Sequence, residues 1–362
     1  MTWLILGDKQ GDNGQVYTVA HRLGWACIRK TVYMRERYIL GKPRFRATLD
    51  HLDLARSDPL EPPWPDLVLT IGRRPSMVAL WVRKQSGNKT RIVLIGKPTG
   101  RMRDFELVIA SALNQVAPLA NLLTINLPLM RIDPDAVRKA ASQWMNTLDD
   151  YPRPLIALLI GGPTSLFKMN RSVAKALAEA VEHIRKELKG TAYVVTSRRT
   201  RPKFIEELKR LLPTDTPLFI WGADAKGNPY KALLGSADGF IVTGDSISMM
   251  VEVISAGKPL AILPLPQGLL GSVDHWRRTL ARLLFNPRRD SDLDRLRHRC
   301  ARLIYRIRLL SSTRDFRHFH QLLVTKGFAV WNGTPFNTPS RVPEEDIDRV
   351  ASAIRRLIHP GE

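Results

Sequence analysis

The sequence contains little cysteine and no long apolar run. Its two cysteines, Cys27 and Cys300, lie far apart and lack the spacing of metal ligands, so we expect two reduced thiols rather than a disulfide framework. No apolar stretch approaches the ~20 residues of a membrane-spanning helix, and the first residues lack the basic and apolar regions of a signal peptide. These absences predict a cytoplasmic protein.

Acidic residues are scarce relative to basic ones. The chain has 34 Asp and Glu against 56 Lys and Arg, a formal net charge of +22. This excess predicts attraction to nucleic acid, to an acidic lipid surface or to phosphorylated small molecules; the alternative is a generally basic, solvated surface. Aromatic residues make up 7% of the chain and no zinc-finger, RNP or homeodomain pattern is visible, so nucleic acid is the least favoured of these partners.

Length and patterning predict two α/β domains. The chain has 362 residues, 44% of them hydrophobic, which suits about two domains of ~150 residues. Short apolar runs alternate with helical segments on both sides of a proline-flanked acidic turn. We therefore predict an N-terminal domain over 1–148, a linker over 149–154, a C-terminal domain over 155–340 and a C-terminal helix over 341–362 that packs back across the junction.

In the N-terminal half, polar residues follow two predicted strands. A glycine-punctuated turn over 7–14 leads into a helix, and its spacing differs from the GxGxxG of dinucleotide sites. Asp8 and Asp12 in this turn are candidate general bases, with turn and N-cap residues as the alternative. Arg73 and Arg74 follow the strand over 66–71, where they either pair with an anionic substrate or are simply exposed.

In the C-terminal half, the segment 237–266 reads as strand, tight turn, helix, tight turn and strand, which is a βαβ unit of a parallel sheet. Its first turn offers free backbone N–H groups, a helix N-terminus and the hydroxyl groups of Thr243, Ser246 and Ser248, all suited to a phosphate. Glu252 lies further along the same helix, where its carboxylate is a candidate acceptor for the hydroxyl groups of a ribose or another sugar.

Two further strand ends carry groups suited to anions. Gly161-Gly162 lets backbone approach a ligand closely, and Thr164 and Ser165 add hydroxyl donors, although an ordinary turn is the alternative. The run 196–199 ends the next strand with two hydroxyl groups and two guanidinium groups, which bind phosphate oxygens in a bidentate manner. With Gly244-Asp245-Ser246, these ends predict a diphosphate site. Trp221 and Tyr230 are candidates to lie against a nucleobase, or else core residues.

Beyond residue 266 the chain is strongly basic. Apolar residues recur at three- and four-residue steps over 293–310 with arginines between them, which predicts an amphipathic helix with an arginine-rich face. That face is either solvated or docks on an anionic membrane surface.

Two βα domains with anion-binding loops in the second describe a GT-B architecture. On the segment 243–259, TGDSISMMVEVISAGKP, the chain resembles the mitochondrial-fission ELM-type family, a GT-B-like group of candidate glycosyltransferases that is widespread in bacteria. The supporting pieces run almost end to end: Gly11 and Gln15, 65–68, 72–74, 161–162, 196–199 and 228–230.

The resemblance implies an α/β, GT-B-like fold with two Rossmann-like domains facing each other across a cleft. It implies a nucleotide-sugar donor site in the second domain, with Glu252 on the ribose, and no metal, because backbone dipoles and basic side chains take the charge of the leaving diphosphate. Two departures stand out: many relatives carry a histidine in place of Asp12, and the segment 97–100 differs from the family pattern.

The implied activity is that of a metal-independent glycosyltransferase. A sugar would pass from a nucleotide-diphospho-sugar, a co-substrate rather than a tightly bound cofactor, to a lipid or polysaccharide acceptor of the cell envelope. The alternatives are a nucleotide-sugar epimerase on the same fold, and a non-catalytic, membrane-associated interaction protein of the mitochondrial-fission type. The expected location is the cytoplasm or, for a peripheral protein, the inner face of the cytoplasmic membrane.

The candidate site residues combine the chemistry at the strand ends with this resemblance. Asp12 or Asp8 would act as the base, and the acceptor side would comprise Gly11, Gln15, Arg73 and Arg74. The donor side would comprise Gly161, Gly162, Thr164, Thr196, Ser197, Arg198, Arg199, Trp221, Asn228, Tyr230, Thr243, Gly244, Asp245, Ser246, Ser248 and Glu252.

Overall fold

A computed structural model of the chain describes residues 1–8, 10–38, 46–96, 102–116, 119–130, 132–164, 166–223, 227–268, 299–300, 303, 313–337 and 345–359. The segment 97–100 and Ser165 lie outside these residues, and so does most of the predicted arginine-rich helix over 293–310. The chain divides into two compact units. The first comprises 1–131, 277–315 and 343–362, and the second comprises 132–276 and 316–342.

The described elements alternate between strands and helices. The strands are β1 (Thr2–Leu6), β2 (Cys27–Thr31), β3 (Leu67–Ile71), β4 (Arg91–Ile95), β5 (Leu107–Ser111), β6 (Asn114–Gln115), β7 (Leu122–Ile125), β8 (Leu155–Ile160), β9 (Thr191–Thr196), β10 (Leu218–Phe219), β11 (Gly239–Thr243), β12 (Leu260–Leu263), β13 (Thr313–Arg314) and β14 (Val330–Trp331). The helices are α1 (Gln10–Leu23), α2 (Arg73–Gln85), α3 (Pro134–Leu148), α4 (Arg171–Lys186), α5 (Pro202–Leu211), α6 (Tyr230–Ser236), α7 (Ile247–Ser255), α8 (Phe316–Thr325) and α9 (Glu345–Ile358). Within the described ranges, no helix combines the length and the apolar character needed to cross a bilayer.

The first unit contains a parallel sheet of six strands in the order β2-β1-β3-β4-β5-β7. The chain moves from β1 to β2 on one side and then returns to place β3 on the other side of β1. This reversal makes the carboxyl ends of β1 and β3 a topological switch point, the place where open α/β sheets bind ligands.

The second unit contains another parallel sheet, in the order β10-β9-β8-β11-β12-β14. Numbered from the first strand of this sheet, the order is 3-2-1-4-5-6, which is that of the doubly wound dinucleotide-binding fold. The switch point lies between β8 and β11. Every residue of these two strands is buried, as expected for parallel strands covered by helices on both faces.

The structure places α3 with the second unit, whereas the sequence predicts this helix at the end of the N-terminal domain. The apolar side of α3 packs closely on α6: a Cβ built on Gly235 would lie 2.9 Å from the Cβ of Ala141 and 3.2 Å from a methyl of Val137. The boundary therefore precedes this helix, and the predicted linker over 149–154 lies inside the second unit.

The last helix returns to the first unit, as the sequence predicted. Ile347, Val350 and Ile354 of α9 are buried in the same cluster as Val16 and Val19 of α1. Polar contacts fix the helix at its start, because the backbone N–H of Asn126 donates to Asp346 Oδ2 at 2.7 Å. An ion pair between Arg22 and Asp348 joins the two helices further along.

Candidate functional site

Three loops meet at the switch point of the second sheet. Residues 161–162 follow β8, residues 197–200 follow β9, and residues 244–246 follow β11. Because β8 pairs with β9 on one side and with β11 on the other, the carboxyl ends of these strands lie side by side. The three polar clusters that the sequence predicted at strand ends are thus brought together in space.

The carboxylate of Asp245 is the centre of this cluster. Its side chain is 0% exposed, and its Oδ2 accepts hydrogen bonds from the Gly162 N–H at 2.9 Å and from Arg199 Nη2 at 3.0 Å. The Ser246 hydroxyl donates to the same oxygen at 3.3 Å, and the Thr243 hydroxyl donates to Oδ1 at 2.8 Å. Several donors therefore converge on a carboxylate that belongs to the protein itself.

The two glycines face protein atoms rather than open space. The Gly161 N–H donates to Thr243 Oγ1 at 2.9 Å, so both N–H groups of the diglycine have partners within the cluster. A Cβ on Gly161 would lie 2.2 Å from Asp245 Oδ2, and one on Gly162 would lie 2.2 Å from the Arg199 carbonyl oxygen. We expected this backbone to approach a diphosphate; in the structure it approaches the loops after β9 and β11.

The turn after β9 divides into inward and outward groups. The Thr200 hydroxyl donates to the Gly161 carbonyl at 2.6 Å and accepts from the Ser197 N–H at 2.9 Å, which holds the turn against β8. Thr196 is buried, and its hydroxyl accepts from the Trp221 N–H at 3.0 Å. Arg198 points outward and has no hydrogen bond or ion pair with another described residue, while the Arg199 side chain is 48% exposed.

The first turn of α7 adds backbone donors to this edge. Ser246 is the N-cap residue, but its side chain makes no capping hydrogen bond, and no acidic residue lies in the first turn. The first N–H groups of a helix have no partner within the helix, and the macrodipole makes this end positive. With the exposed hydroxyl of Ser248, this turn is suited to an anion.

Glu252 lies one helical turn beyond Ser248 and is half-buried. Its Oε2 accepts a hydrogen bond from the Tyr230 hydroxyl at 2.6 Å. Burial raises the pKa of Glu252, while the Tyr230 hydrogen bond and the charge of Lys231 lower it. Burial also raises the pKa of Tyr230 well above its ordinary value, and the neighbouring carboxylate adds to the rise.

The remaining predicted donor residues occupy turns nearby. The Asn228 side chain accepts from the Tyr230 N–H at 3.0 Å, and the Thr164 hydroxyl accepts from the Phe167 N–H at 3.2 Å, so each stabilises a local turn. Tyr230 contacts a carboxylate through its hydroxyl, whereas Trp221 is 48% exposed.

In the first unit, the switch point gathers charged residues of both signs. Asp8 follows β1, and its Oδ2 lies 3.9 Å from Arg74 Nη1 on α2. Asp12 lies in the first turn of α1, and its Oδ2 would be 3.9 Å from a Cβ built on Gly72. Arg73 begins α2 next to Arg74. The pKa of Arg73 is lowered, mainly by burial and to a smaller extent by the charge of Arg74.

The loop predicted over 7–14 is shorter in the structure, because α1 begins at Gln10. Gly11, Asp12 and Gln15 are therefore helical residues, and Gly11 and Gln15 are four positions apart on one face. An aspartate in the first turn is favourable beside the positive end of the helix dipole, which helps the helix to start early despite its glycines.

Sequence reasoning missed two histidines beside these sites. His51 is buried next to Arg74; burial lowers its pKa, and a hydrogen bond with the Arg74 backbone opposes that shift. His320 of α8 is also buried, with its Cε1 3.1 Å from a Cβ built on Gly244. Neither histidine has a spacing pattern that marks it, because both reach the sites through tertiary packing.

Known proteins resemble the chain over most of its length. The family model described as "Mitochondrial fission ELM1" matches residues 10–284. The Mitochondrial fission protein ELM1 of Arabidopsis thaliana is 26% identical over 221 residues, which cover 55% of this chain and 51% of that protein. The chain thus matches about half the length of this plant relative. A protein of Rickettsia prowazekii is 24% identical over 296 residues, covering 72% of this chain and 82% of the relative.

A solved structure shares the fold. It is a candidate UDP-N-acetylglucosamine 2-epimerase from Listeria monocytogenes. The match covers 100% of this chain and 97% of the epimerase chain, with a TM-score of 0.50 and 12% sequence identity. At that identity the likeness concerns the fold alone, and it confirms the predicted α/β, GT-B-like class. The match of the family model covers well over half of the residues, and the chain therefore belongs to the Mitochondrial fission ELM1 family.

Proposed function

We propose that the protein is a glycosyltransferase whose second unit binds a nucleotide-diphospho-sugar. The observation that carries the proposal is the uncapped start of α7 at the switch point, with Ser248 exposed in its first turn and the Glu252 carboxylate one turn further on. This spacing supports the proposal, because a turn suited to an anion and a carboxylate that can accept from hydroxyl groups lie on one helix. A nucleoside diphosphate carries both kinds of group.

The diphosphate would bind outside the Asp245 cluster. The Gly162 N–H and Arg199 already donate to Asp245, and the Gly161 N–H donates to Thr243. The groups left for phosphate oxygens are therefore the first N–H groups of α7, Ser248 and Arg198, with the outward side of Arg199. Preorganised donors aimed at a leaving diphosphate stabilise the charge that develops as the glycosidic bond to the sugar breaks.

The acceptor would be activated in the first unit. An inverting transfer needs a carboxylate within reach of the acceptor hydroxyl, so that the proton leaves as the new bond to the sugar forms. Asp12 is half-buried and makes no hydrogen bond or ion pair with another described residue, whereas Asp8 lies near Arg74. We therefore favour Asp12 as the base, and a lipid or polysaccharide of the cell envelope as the acceptor.

A nucleotide-sugar epimerase is the second candidate. The fold likeness to a candidate UDP-N-acetylglucosamine 2-epimerase favours it, because the same fold serves that reaction class. An epimerase converts its nucleotide sugar without an acceptor. A non-catalytic interaction protein is the third candidate. The name of the plant relative favours it, and so does the Asp245 carboxylate, because the Gly162 N–H already donates to this side chain and is not left for a ligand.

Calorimetric titration with UDP, GDP, ADP and CMP tests the proposal. We expect saturable binding of one of these nucleotides, and a loss of affinity of about tenfold to a hundredfold in Glu252→Ala and in Arg198→Ala, as for hydrogen bonds to charged groups. Arg138→Ala and Glu179→Ala are matched controls, because both side chains are exposed on helices of the same unit.

The outcomes separate the three candidates. No binding of any nucleotide by folded protein would refute both enzyme proposals and favour the interaction protein. If UDP binds, incubation with UDP-N-acetylglucosamine alone, followed by NMR of the sugar, distinguishes the two enzymes: a transferase leaves its configuration unchanged, whereas an epimerase changes it at one carbon.

A further inference from the structure

The hydrogen bond between Tyr230 and Glu252 connects two helices at the proposed nucleotide site. Tyr230 is the first residue of α6, and its hydroxyl donates to Glu252 Oε2 of α7 at 2.6 Å. The backbone of Tyr230 is also fixed, because its N–H donates to the Asn228 side chain at 3.0 Å. The phenol is therefore held at its backbone and at its hydroxyl.

This contact determines which oxygen of Glu252 remains for a ligand. Oε2 is occupied by the phenol, and no hydrogen bond joins Oε1 to another described residue. A glutamate side chain has three rotatable bonds, and ordering it on binding costs conformational entropy. The phenol reduces that cost, because the carboxylate is already oriented when the ligand arrives.

The same contact affects the charge of Glu252. An ionised carboxylate accepts hydrogen bonds through both oxygens, whereas a protonated one must use one oxygen as a donor. Burial favours the protonated form, whereas the hydrogen bond from the Tyr230 hydroxyl and the charge of Lys231, both on α6, favour the ionised form. The phenol thus supports the state that can accept hydrogen bonds from hydroxyl groups.

We propose that Tyr230 is a positioning residue of the nucleotide site, which orients Glu252 so that its Oε1 accepts from a ribose hydroxyl. This inference rests on the proposed function, because it assumes that a nucleotide reaches Glu252. It assigns to Tyr230 a role that differs from stacking on the base, and it makes recognition of the ribose depend on two side chains that are 22 residues apart.

The test compares UDP with its 2′,3′-dideoxy analogue on the full chain, over a range of pH, by calorimetry. If GDP, ADP or CMP binds instead of UDP, that nucleotide and its dideoxy analogue are used. The wild type should prefer the complete ribose by about tenfold or more, as for hydrogen bonds to a charged group. This preference should be lost as the pH falls through the raised pKa of Glu252.

In Tyr230→Phe the preference should shrink to about threefold or less, because the carboxylate is no longer oriented. It should also disappear at a higher pH than in the wild type, since removal of the phenol takes away a contact that lowers the pKa of Glu252. Tyr151→Phe is the matched control: Tyr151 packs against Tyr193 with ring centroids 5.9 Å apart, and should change neither property.

The results have distinct meanings. If the wild type binds none of the four nucleotides, the proposed function fails and this inference with it. If the wild type binds but Tyr230→Phe keeps the same ribose preference with the same pH dependence, the inference fails and the proposed function stands. If Tyr230→Phe does not fold, the test rests on the pH dependence of ribose preference in the wild type. A preference that stays constant with pH overturns the inference.

Discussion

Replacing Asp245 by alanine removes the acceptor on which the switch-point cluster of the second unit is built. Four donors lose a partner together: the Gly162 N–H, the Arg199 guanidinium and the hydroxyl groups of Thr243 and Ser246. They come from the last residue of β11 and from the loops after β8, β9 and β11, so the substitution loosens three strand ends at once. We expect a clear loss of stability of the second unit.

The size of the effect follows from which donors can reach water. Gly162, Thr243 and Ser246 are buried, and each buried donor left without a partner costs about 1–3 kcal/mol. Arg199 contributes less, because its side chain is 48% exposed and can be hydrated after it is released. We therefore expect Asp245→Ala to lower the free energy of unfolding by roughly 3 kcal/mol. Asp245→Asn keeps the shape and one acceptor oxygen, and should cost about half as much.

Urea unfolding monitored by circular dichroism measures this loss of stability. Hydrogen exchange of peptides covering 155–162 and 239–246 assigns the loss to the second unit. A cycle with Arg199→Ala isolates the ion pair, because the difference between single and double variants gives the coupling of the two side chains. Peptides of β1 and β3 in the first unit should exchange as in the wild type.

If Asp245→Ala unfolds at the same urea midpoint as the wild type, with the same dependence on urea concentration, the expected loss of stability is refuted. That result would mean that the donors find other partners without cost. A coupling near zero between Asp245 and Arg199 would refute a narrower point, namely that the guanidinium contributes to the cluster.

Three further substitutions test packing in the two units. Gly161→Ala should destabilise the second unit by about 1–3 kcal/mol, because its Cβ would lie 2.2 Å from both Asp245 Oδ2 and Ser246 Oγ and one loop must shift. In the same urea assay, Gly14→Ala should stabilise α1 by about 0.5–1 kcal/mol, because its Cβ meets nothing within 4 Å. Ile354→Ala should cost the first unit about 2–5 kcal/mol, because the side chain is 0% exposed, and exchange in the second unit should not change; equal loosening of both units would contradict the division of the chain.

Local pattern was enough to predict the strands of the second unit and the polar residues after them. The apolar runs before Gly161 and Gly244 are β8 and β11, and the hydroxyl-rich turn after Tyr193 follows β9. The partners of these residues were beyond local pattern. Asp245 is 83 residues from Gly162, and their contact depends on β11 lying beside β8, which is a matter of strand order.

Local sequence pattern was also not enough to predict the domain boundary. The segment 149–154 has the prolines and acidic residues of a linker, and turns inside a domain have the same composition. What assigns α3 to the second unit is the close fit of Ala141 and Val137 to Gly235, a contact that cannot be recognised from either segment alone. The histidines beside the sites, His51 and His320, were missed for the same reason.

The return of α9 to the first unit has a consequence for biosynthesis. Arg22 and Asp348, which join α1 to α9, are 326 residues apart in the sequence, and the segments of the second unit lie between them. During synthesis the side of α1 that bears Val16 and Val19 therefore lacks its cover until the ribosome has made the second unit. The unit that is translated first completes its core last, so contacts of very long range determine when the nascent chain becomes fully native.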